Sequence, residues 1–539
     1  MRASSVALRA LQRLASGGAA GDVLRAAVPS ALASTSTTQQ TLNGAWQQPS
    51  RGFAAAAPLS VAPVEGDLAG VLREIDAAIS AEGAGPKDVA DAALSLAYLQ
   101  ARGDRRLWGK IFAKAGALKA GFDAASLTAF LWAATTANVG HFKTAFDLAG
   151  PAAKLIGSFT PDQLATVVEA LGKAGVNDPD LFKAVSDRVA AKGGEFTAAQ
   201  LAKVLWGAAA AGAADGKLAK AATAALLGKL ADASARDAAQ ATWALAKLGR
   251  ADKPALDALS KALAAKSADA APADAAAAVW ALATLNHKPE AGALAKASAA
   301  IKAGAGELST EQAIHAAWGL ALLGGDKDAF AALLSAAGAA VAAAPDCVSV
   351  QALAALCEAQ TLAIDRLGTQ APKLPDQVYA YAQGMYGLAA DAAKARRPAA
   401  AAAFRSALAT AAARAAGARY KPEIAAAVAA LPRKTSDGLP VEMGLDLDKD
   451  LKVAILPLDA GSVSTTSPPH HLGAAEAAKR LLEARGYKVA PVLQSAFDAA
   501  KDDAGRAAVV LAAIKAAAPG SKVTALERQL SAPFDPYAE

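Results

Sequence analysis

Six polar residues stand at near-even intervals in a chain crowded with alanine: Ser126, Gln163, Gln200, Asp237, Asp274 and Gln312. Amides, hydroxyls and short acids repeated at one position could hydrogen-bond the edges of unpaired nucleobases, one per repeat. The same row could instead mark helix N-termini, where Ser and Asp are good caps and Gln a poor one. Three residues further on, Ala129, Thr166, Lys203, Gln240, Ala277 and His315 vary and form a second candidate row. A different chemistry is written between 394 and 434. There Lys394, Arg396, Arg397, Arg405, Arg414, Arg419, Lys421, Arg433 and Lys434 face a single acid, Glu423. Such a local excess suits a phosphate backbone, and a solvated linker or an acidic protein partner is its alternative.

The elements that must position these groups are helices. Of 539 residues, 54% are hydrophobic, much of that alanine, and only 5% are aromatic, a balance that favours helix over sheet. The runs Thr242–Gly249 (TWALAKLG), Val279–Asn286 (VWALATLN) and Ala317–Gly324 (AWGLALLG) are copies of one motif. With Leu131-Trp132-Ala133, Leu205-Trp206-Gly207 and a unit carrying Glu169 in place of Trp, the anchors fall at 132, 169, 206, 243, 280 and 318. Steps of 37 or 38 residues mean a repeat architecture. One step back lies Ser95, in another apolar helical segment.

Each unit reads as a hairpin. The anchor helix ends at Gly175, Gly212, Gly249 or Asn286, residue types that suit the left-handed closing position. A second amphipathic helix follows, as in 254–266, with Leu256, Leu259 and Leu263 at core spacing. Units this short cannot bury both apolar faces alone and must stack. The tryptophans are expected in the packing between neighbouring hairpins, which leaves few rings for stacking on bases. Beyond 330 the register loosens, and 352–358 and 385–389 read as two degenerate further units.

The repeat resembles the octotricopeptide-repeat proteins of algal organelles, over roughly 66–395. That resemblance implies an α-solenoid that binds organellar RNA and acts in its maturation, stability, translation or assembly into ribosomes.

From about 447 the texture changes. Lys452–Leu458 (KVAILPL) and Tyr487–Leu493 (YKVAPVL) read as strands, with helices predicted over Ala474–Arg485 and Ala504–Ala517. The β–α–β–α order predicts a small α/β domain. The phrase from Leu472-Gly473 through Lys479-Arg480-Leu481-Leu482-Glu483-Ala484-Arg485-Gly486-Tyr487 resembles the RAP domain, which often follows organellar RNA-binding repeats. That domain is related to restriction-type nucleases, whose chemistry needs two or three carboxylates around a divalent metal. Here Leu456 stands where that family often has an acid, and only Asp459 follows. Glu476 and Lys479 read as a surface ion pair. His470-His471 lack a third ligand and read as an exposed loop pair. No metal, cofactor or small-molecule substrate is expected, nor catalysis. Cys347 and Cys357 exclude a disulfide framework and read as buried helix residues.

The first 53 residues hold Arg2, Arg9, Arg13, Arg25 and Arg51 against Asp22 alone, with Leu8, Leu11 and Leu14 opposite the first three arginines on a helical wheel. This resembles an organelle transit peptide cleaved after Phe53, for the mitochondrial matrix, with the chloroplast stroma as the alternative. Its loss removes most of the formal charge of +6, so net charge is no argument for nucleic acid. No apolar run is long enough to cross a membrane.

The expected organisation is therefore a mainly α chain, an α-solenoid of 37–38-residue helical-hairpin repeats followed by a small α/β domain. Its divisions are 1–53 leader, 66–395 solenoid, 396–446 basic helical segment and linker, 447–517 RAP-like domain and 518–539 tail. The expected function is binding of single-stranded RNA in an organelle, as a ribosome-associated protein on ribosomal RNA, with ribosomal proteins as neighbours, or as an RNA processing or stability factor. A protein–protein scaffold without RNA contact is the alternative, and a RAP-domain endonuclease a distant third.

Overall fold

The computed structural model describes residues 68–519, apart from 100, 102–103, 140–141, 214–215, 416–432 and 449–450. The leader, and the belt residues Arg419 and Lys421, lie outside the described residues, as does most of the tail. The chain divides into two units. One runs to Leu248 and takes in Ala258–Lys266; the other takes in Gly249–Asp257 and continues from Ser267.

Helical hairpins fill the first unit. Inner helices α2 (Pro86–Tyr98), α4 (Ala124–Thr136), α6 (Pro161–Lys173), α8 (Ala198–Ala211) and α10 (Ala235–Lys247) stack one on the next. Outer helices α1 (Leu68–Ser80), α3 (Arg105–Ala117), α5 (Phe142–Lys154), α7 (Pro179–Lys192) and α9 (Gly216–Leu227) form a second layer. Helix α11 (Lys253–Ala265) matches the predicted second helix, with Leu256, Leu259 and Leu263 buried.

In the second unit, α12 (Pro272–Thr284), α14 (Thr310–Leu323) and α16 (Val350–Leu367) are inner helices, and α13 (Ala291–Ala303) and α15 (Lys327–Ala343) are outer ones. Helix α17 (Asp376–Ala395) then packs directly on α16, with only a short 3-10 turn in the connection. The segments at 352–358 and 385–389 are thus consecutive inner helices, a correction to the two further hairpins expected there. Cys357 is buried in α16, whereas Cys347 is exposed in the turn before it.

The predicted helix ends are observed. Gly175, Gly212, Gly249 and Asn286 take φ of 71°, 72°, 64° and 50°, and Asn138 and Gly324 occupy the same place in their repeats with φ of 52° and 77°. Alanine and glycine abound because the inner helices nearly touch. A Cβ on Gly207 would lie 2.4 Å from the Val168 carbonyl oxygen, and one on Gly172 would lie 2.3 Å from that of Gly207. Only small residues permit such an approach, which converts alanine-rich surface into dense backbone-level packing.

The small α/β domain carries the predicted strands and helices: β4 (Leu451–Leu458), α19 (Gly473–Ala484), β5 (Tyr487–Leu493) and α21 (Asp503–Ala517), with a short α20 (Gln494–Asp498). Strands β4 and β5 pair in parallel, Ile455 opposite Ala490, as a β–α–β crossover requires. The domain also starts earlier than expected. Strand β3 (Gly444–Asp448) pairs antiparallel with β4, after a hairpin of β1 (Arg433–Lys434) and β2 (Pro440–Val441). Helix α18 (Ala399–Ala415), expected in the basic linker, supplies Phe404, Leu408 and Ala412 to a core with Val453, Ile455, Val492, Phe497, Val510 and Ile514. Ala454 and Val489 alternate to the other sheet face and meet Leu482 of α19.

Candidate nucleic-acid interface

The polar row sits at the third position of each inner helix. In five of the six it closes a capping box. The Thr160 and Thr197 N–H groups donate to Gln163 Oε1 and Gln200 Oε1 at 2.9 Å each, and that of Ser309 to Gln312 Oε1 at 2.9 Å. The Asp123 N–H donates to Ser126 Oγ at 3.2 Å, and the Ser234 N–H to an Asp237 carboxylate oxygen at 2.8 Å. Asp274 holds the same place after Ala271, which has no side chain to answer with. Ser126, Asp237 and Asp274 are buried. The alternative reading, helix N-termini, accounts for the polarity of the row, and Gln suits it because the third position, not the cap itself, takes Glu or Gln.

Gln163, Gln200 and Gln312 still reach solvent, and so does a second stripe of the inner helices. Along α10 only Arg236 and Lys247 escape burial, and Gln240 and Trp243 lie between them on the same face. In α8 that stripe includes Lys203 and Trp206, and in α6 Asp162, Glu169 and Lys173, with Thr166 buried beneath them. The anchors and the second candidate row are therefore neighbours on one face. The tryptophans do pack between adjacent hairpins, but at this edge rather than in the depth of the core. Trp132, Trp206 and Trp280 are half-buried, and Trp243 and Trp318 are 8% and 7% exposed.

Rings and cations interleave along it. Tyr98 lies 5.6 Å from Trp132, and Trp206 stacks on Trp243 with centroids 5.7 Å apart and planes 23° from parallel. Lys173 Nζ lies 5.9 Å from the Trp206 centroid and Lys247 Nζ 5.8 Å from that of Trp243, both within cation–π range. Burial against the ring lowers the Lys247 pKa. Glu169 bonds Lys173 at 2.9 Å. Burial alone would raise its pKa, but Lys173, Lys203 and Arg236 together hold the carboxyl below its ordinary range. Lys173, Arg236 and Lys247 were missed in the sequence; each lies four after or seven before an anchor, so extending the helical stripe through the anchors finds them.

In the second unit the row turns inward on itself. Trp280 meets His315 at 5.9 Å. Trp318 Nε1 donates to Glu358 Oε2 at 2.5 Å, and Tyr386 also bonds that carboxyl. Burial pushes Glu358 up to about 7.

Three arginines of the basic belt bond carboxylates within their own domain. Arg397 and Arg405 reach Glu442 at 2.9 and 2.8 Å, Arg405 also reaches Asp459 at 2.5 Å, and Arg414 reaches Asp503 at 3.0 Å. Lys394, Arg396 and Lys434 are exposed, and Arg433 opens β1. Arg397, Arg405 and Arg414 are thus engaged by carboxylates, while Lys394, Arg396 and Lys434 stay open to solvent. Asp459, the lone candidate acid, accepts from Arg405, Ser462 and the Gly461 N–H, as a turn residue does. Burial would raise it, but Arg405 and Ser462 outweigh burial and hold it below the carboxylate range.

The histidine pair is not an exposed loop. His470 Nε2 contacts the Leu285 carbonyl at 3.2 Å, and His471 Nε2 contacts Glu476 at 2.8 Å. Glu476 also accepts from Arg480 at 2.7 Å, whereas Lys479 faces Glu483. With the His471 bond as the largest cause, the Glu476 carboxyl falls to about 2. Arg480 donates to the Leu322 carbonyl at 2.6 Å, and Arg485 bonds Asp365 at 2.8 Å. Gly473 lies against the Ala283 carbonyl, which a Cβ would meet at 2.0 Å. The RAP-like phrase thus seats α19 across the carboxyl ends of α12 and α14 and against α16, with the Arg480 guanidinium on a carbonyl of the last turn of α14.

Among the described residues, no group of three His, Cys, Asp or Glu is placed to hold a metal ion, and no helix is long and apolar enough to cross a membrane. Compared with known proteins, the chain matches no family model and no curated protein.

Proposed function

We propose that this helical-repeat protein binds single-stranded RNA in an organelle, the mitochondrion ahead of the chloroplast. It holds or stabilises that RNA without cutting it, either on ribosomal RNA within a ribosome or on a transcript under maturation. The observation that carries the reading is the inner-helix stripe of the first unit. Lys173, Lys203, Arg236 and Lys247 follow one another across three stacked helices, with the Trp206–Trp243 pair among them and Glu169 the acid at their centre. Interleaved cations and rings are what a single strand requires, charge for its phosphates and π-faces for its bases. The α/β domain, its arginines committed to carboxylates and helix ends, serves as a structural cap.

Filter binding of the purified chain to single-stranded RNA across a salt series tests this. Each phosphate contact contributes about 0.7 to the slope of log affinity against log salt. Replacing Lys173, Lys203, Arg236 and Lys247 together by Gln should flatten that slope by two units or more and weaken all sequences alike. A wild-type chain that ignores RNA would leave the scaffold reading in its place.

A further inference from the structure

We propose that helix α17 is the face through which two copies of this chain associate, antiparallel about a two-fold axis. In the second unit α12, α14 and α16 are each covered by the next inner helix, whereas α17 ends the series and packs on α16 alone among them. It does so through Val378, Ala382 and Tyr386. Its opposite face is open. Leu388 is 54% and Tyr381 37% exposed, two of the few large apolar side chains that reach solvent among the described residues. A stacked repeat ordinarily ends in a cap with a polar outer face. Here the terminal face is apolar, with Tyr381 and Leu388 seven residues apart, about two turns, along one edge of it.

The occupant follows from the charges. Asp376 and Lys394 stand 18 residues apart, about five full turns, and so share the other edge of that face, one at each end of the helix. Both are exposed. A second α17 laid antiparallel sets each Asp376 against the partner's Lys394, so opposite charges meet twice, whereas a parallel copy would set like on like. The same register brings Tyr381 within one residue, about 1.5 Å along the axis, of the partner's Leu388, so the apolar edges meet as well. Between the edges lie Gly384 and Gly387, where a Cβ would meet nothing within 4 Å. Nothing within the chain calls for glycine there, and glycine weakens a helix. Two helices crossing at these positions can approach closely, as α6 and α8 do at Gly172 and Gly207. Asp391, the acid on the face, falls beside the partner's Gln377, whose amide can donate to it. Such self-complementarity is what an isologous two-fold interface requires.

One helix pair lies at the small end of interface sizes, so the dissociation constant is expected in the micromolar range. Sedimentation velocity of the full chain without RNA, from about 1 to about 200 µM, covers that range. The wild type should pass from one chain mass to two. Leu388→Asp, at a position open to solvent in the single chain, should stay at one chain mass with an unchanged circular dichroism spectrum. Asp376→Lys and Lys394→Asp should each weaken association about ten-fold or more by setting like charges together. The chain carrying both reversals should regain wild-type association. A wild type that stays at one chain mass throughout overturns the inference and leaves the face to a different protein. A dimer that survives Leu388→Asp, or a double reversal that associates no better than the single ones, overturns it too. None of these outcomes bears on RNA binding.

Discussion

Replacing Gly207 by Ala isolates the packing that lets this sequence stack. In most helices the change stabilises, by about 0.5–1 kcal/mol, because alanine loses less backbone entropy on folding. At Gly207 the new methyl carbon would sit 2.4 Å from the Val168 carbonyl oxygen and in similar conflict with the Val168 and Glu169 backbone. Ordinary van der Waals contact begins near 3.4 Å, so α6 and α8 must separate by about 1 Å. A gap of that size forfeits a quarter to a half of the dispersion attraction between facing atoms. Overpacking a filled interface costs about 1–3 kcal/mol, so after the propensity gain the net loss should be about 1–2 kcal/mol. Gly109 of α3 provides the control, because a Cβ there meets nothing within 4 Å. Gly109→Ala should stabilise by about 0.5–1 kcal/mol. Urea unfolding followed by far-ultraviolet circular dichroism reads both. A Gly207→Ala midpoint at or above that of the wild type would refute the close-packing account of the alanine-rich helices.

Two further outcomes follow from charge. Arg405→Gln should destabilise the α/β domain by about 2–4 kcal/mol, because Asp459 and Glu442 lose their shared cation while Arg405 and Asp459 are only 13% and 15% exposed. The Asp459 carboxyl sits below its unfolded value of about 3.9, so its contribution is complete above that pH and lost as pH falls through the folded value. The deficit of the variant should therefore shrink in acid, and a pH-independent deficit in urea titrations would contradict the pairing. Glu358 has the opposite sign. Its folded value of about 7 lies above the unfolded carboxylate range, so its stabilisation is full in acid and lost as pH rises toward 7. Glu358→Gln, which still offers an oxygen to Trp318, should remove that slope from melting temperatures measured between pH 4.5 and 8; an unchanged slope would refute the assignment.

The architecture was legible because two signals coincide. A 37-residue period anchored by Trp, and a Gly or Asn six residues later, fix both the stacking and the helix ends, and the φ values at Gly175, Gly212, Gly249 and Asn286 meet that expectation. The sites were less legible. Gln163, Gln200 and Gln312 were weighed as caps, where Gln is poor, when they stand at the third position, where reciprocal bonding suits it. The basic belt was counted along the chain, and no such count reveals that Glu442, Asp459 and Asp503 fold back onto Arg397, Arg405 and Arg414. Trp243 and Gln240 were assigned to separate rows, and only the burial pattern of α10 shows that they share a face with Lys247.

The seat of α19 has a consequence for how such a chain can change length. Leu285, Leu322 and Asp365 belong to successive inner helices, and His470, Arg480 and Arg485 meet them in the same order. The C-terminal domain is in effect a gauge cut to that span. Duplicating one hairpin between α12 and α16 would carry at least one of these partners a full helix out of reach, and a deletion would crowd two onto one. Gain or loss of a repeat is thereby disfavoured over the span from Gly249 to α16, since Thr465 also donates to the Gly249 carbonyl at 2.8 Å. The number of hairpins can drift before that span while the span itself stays fixed.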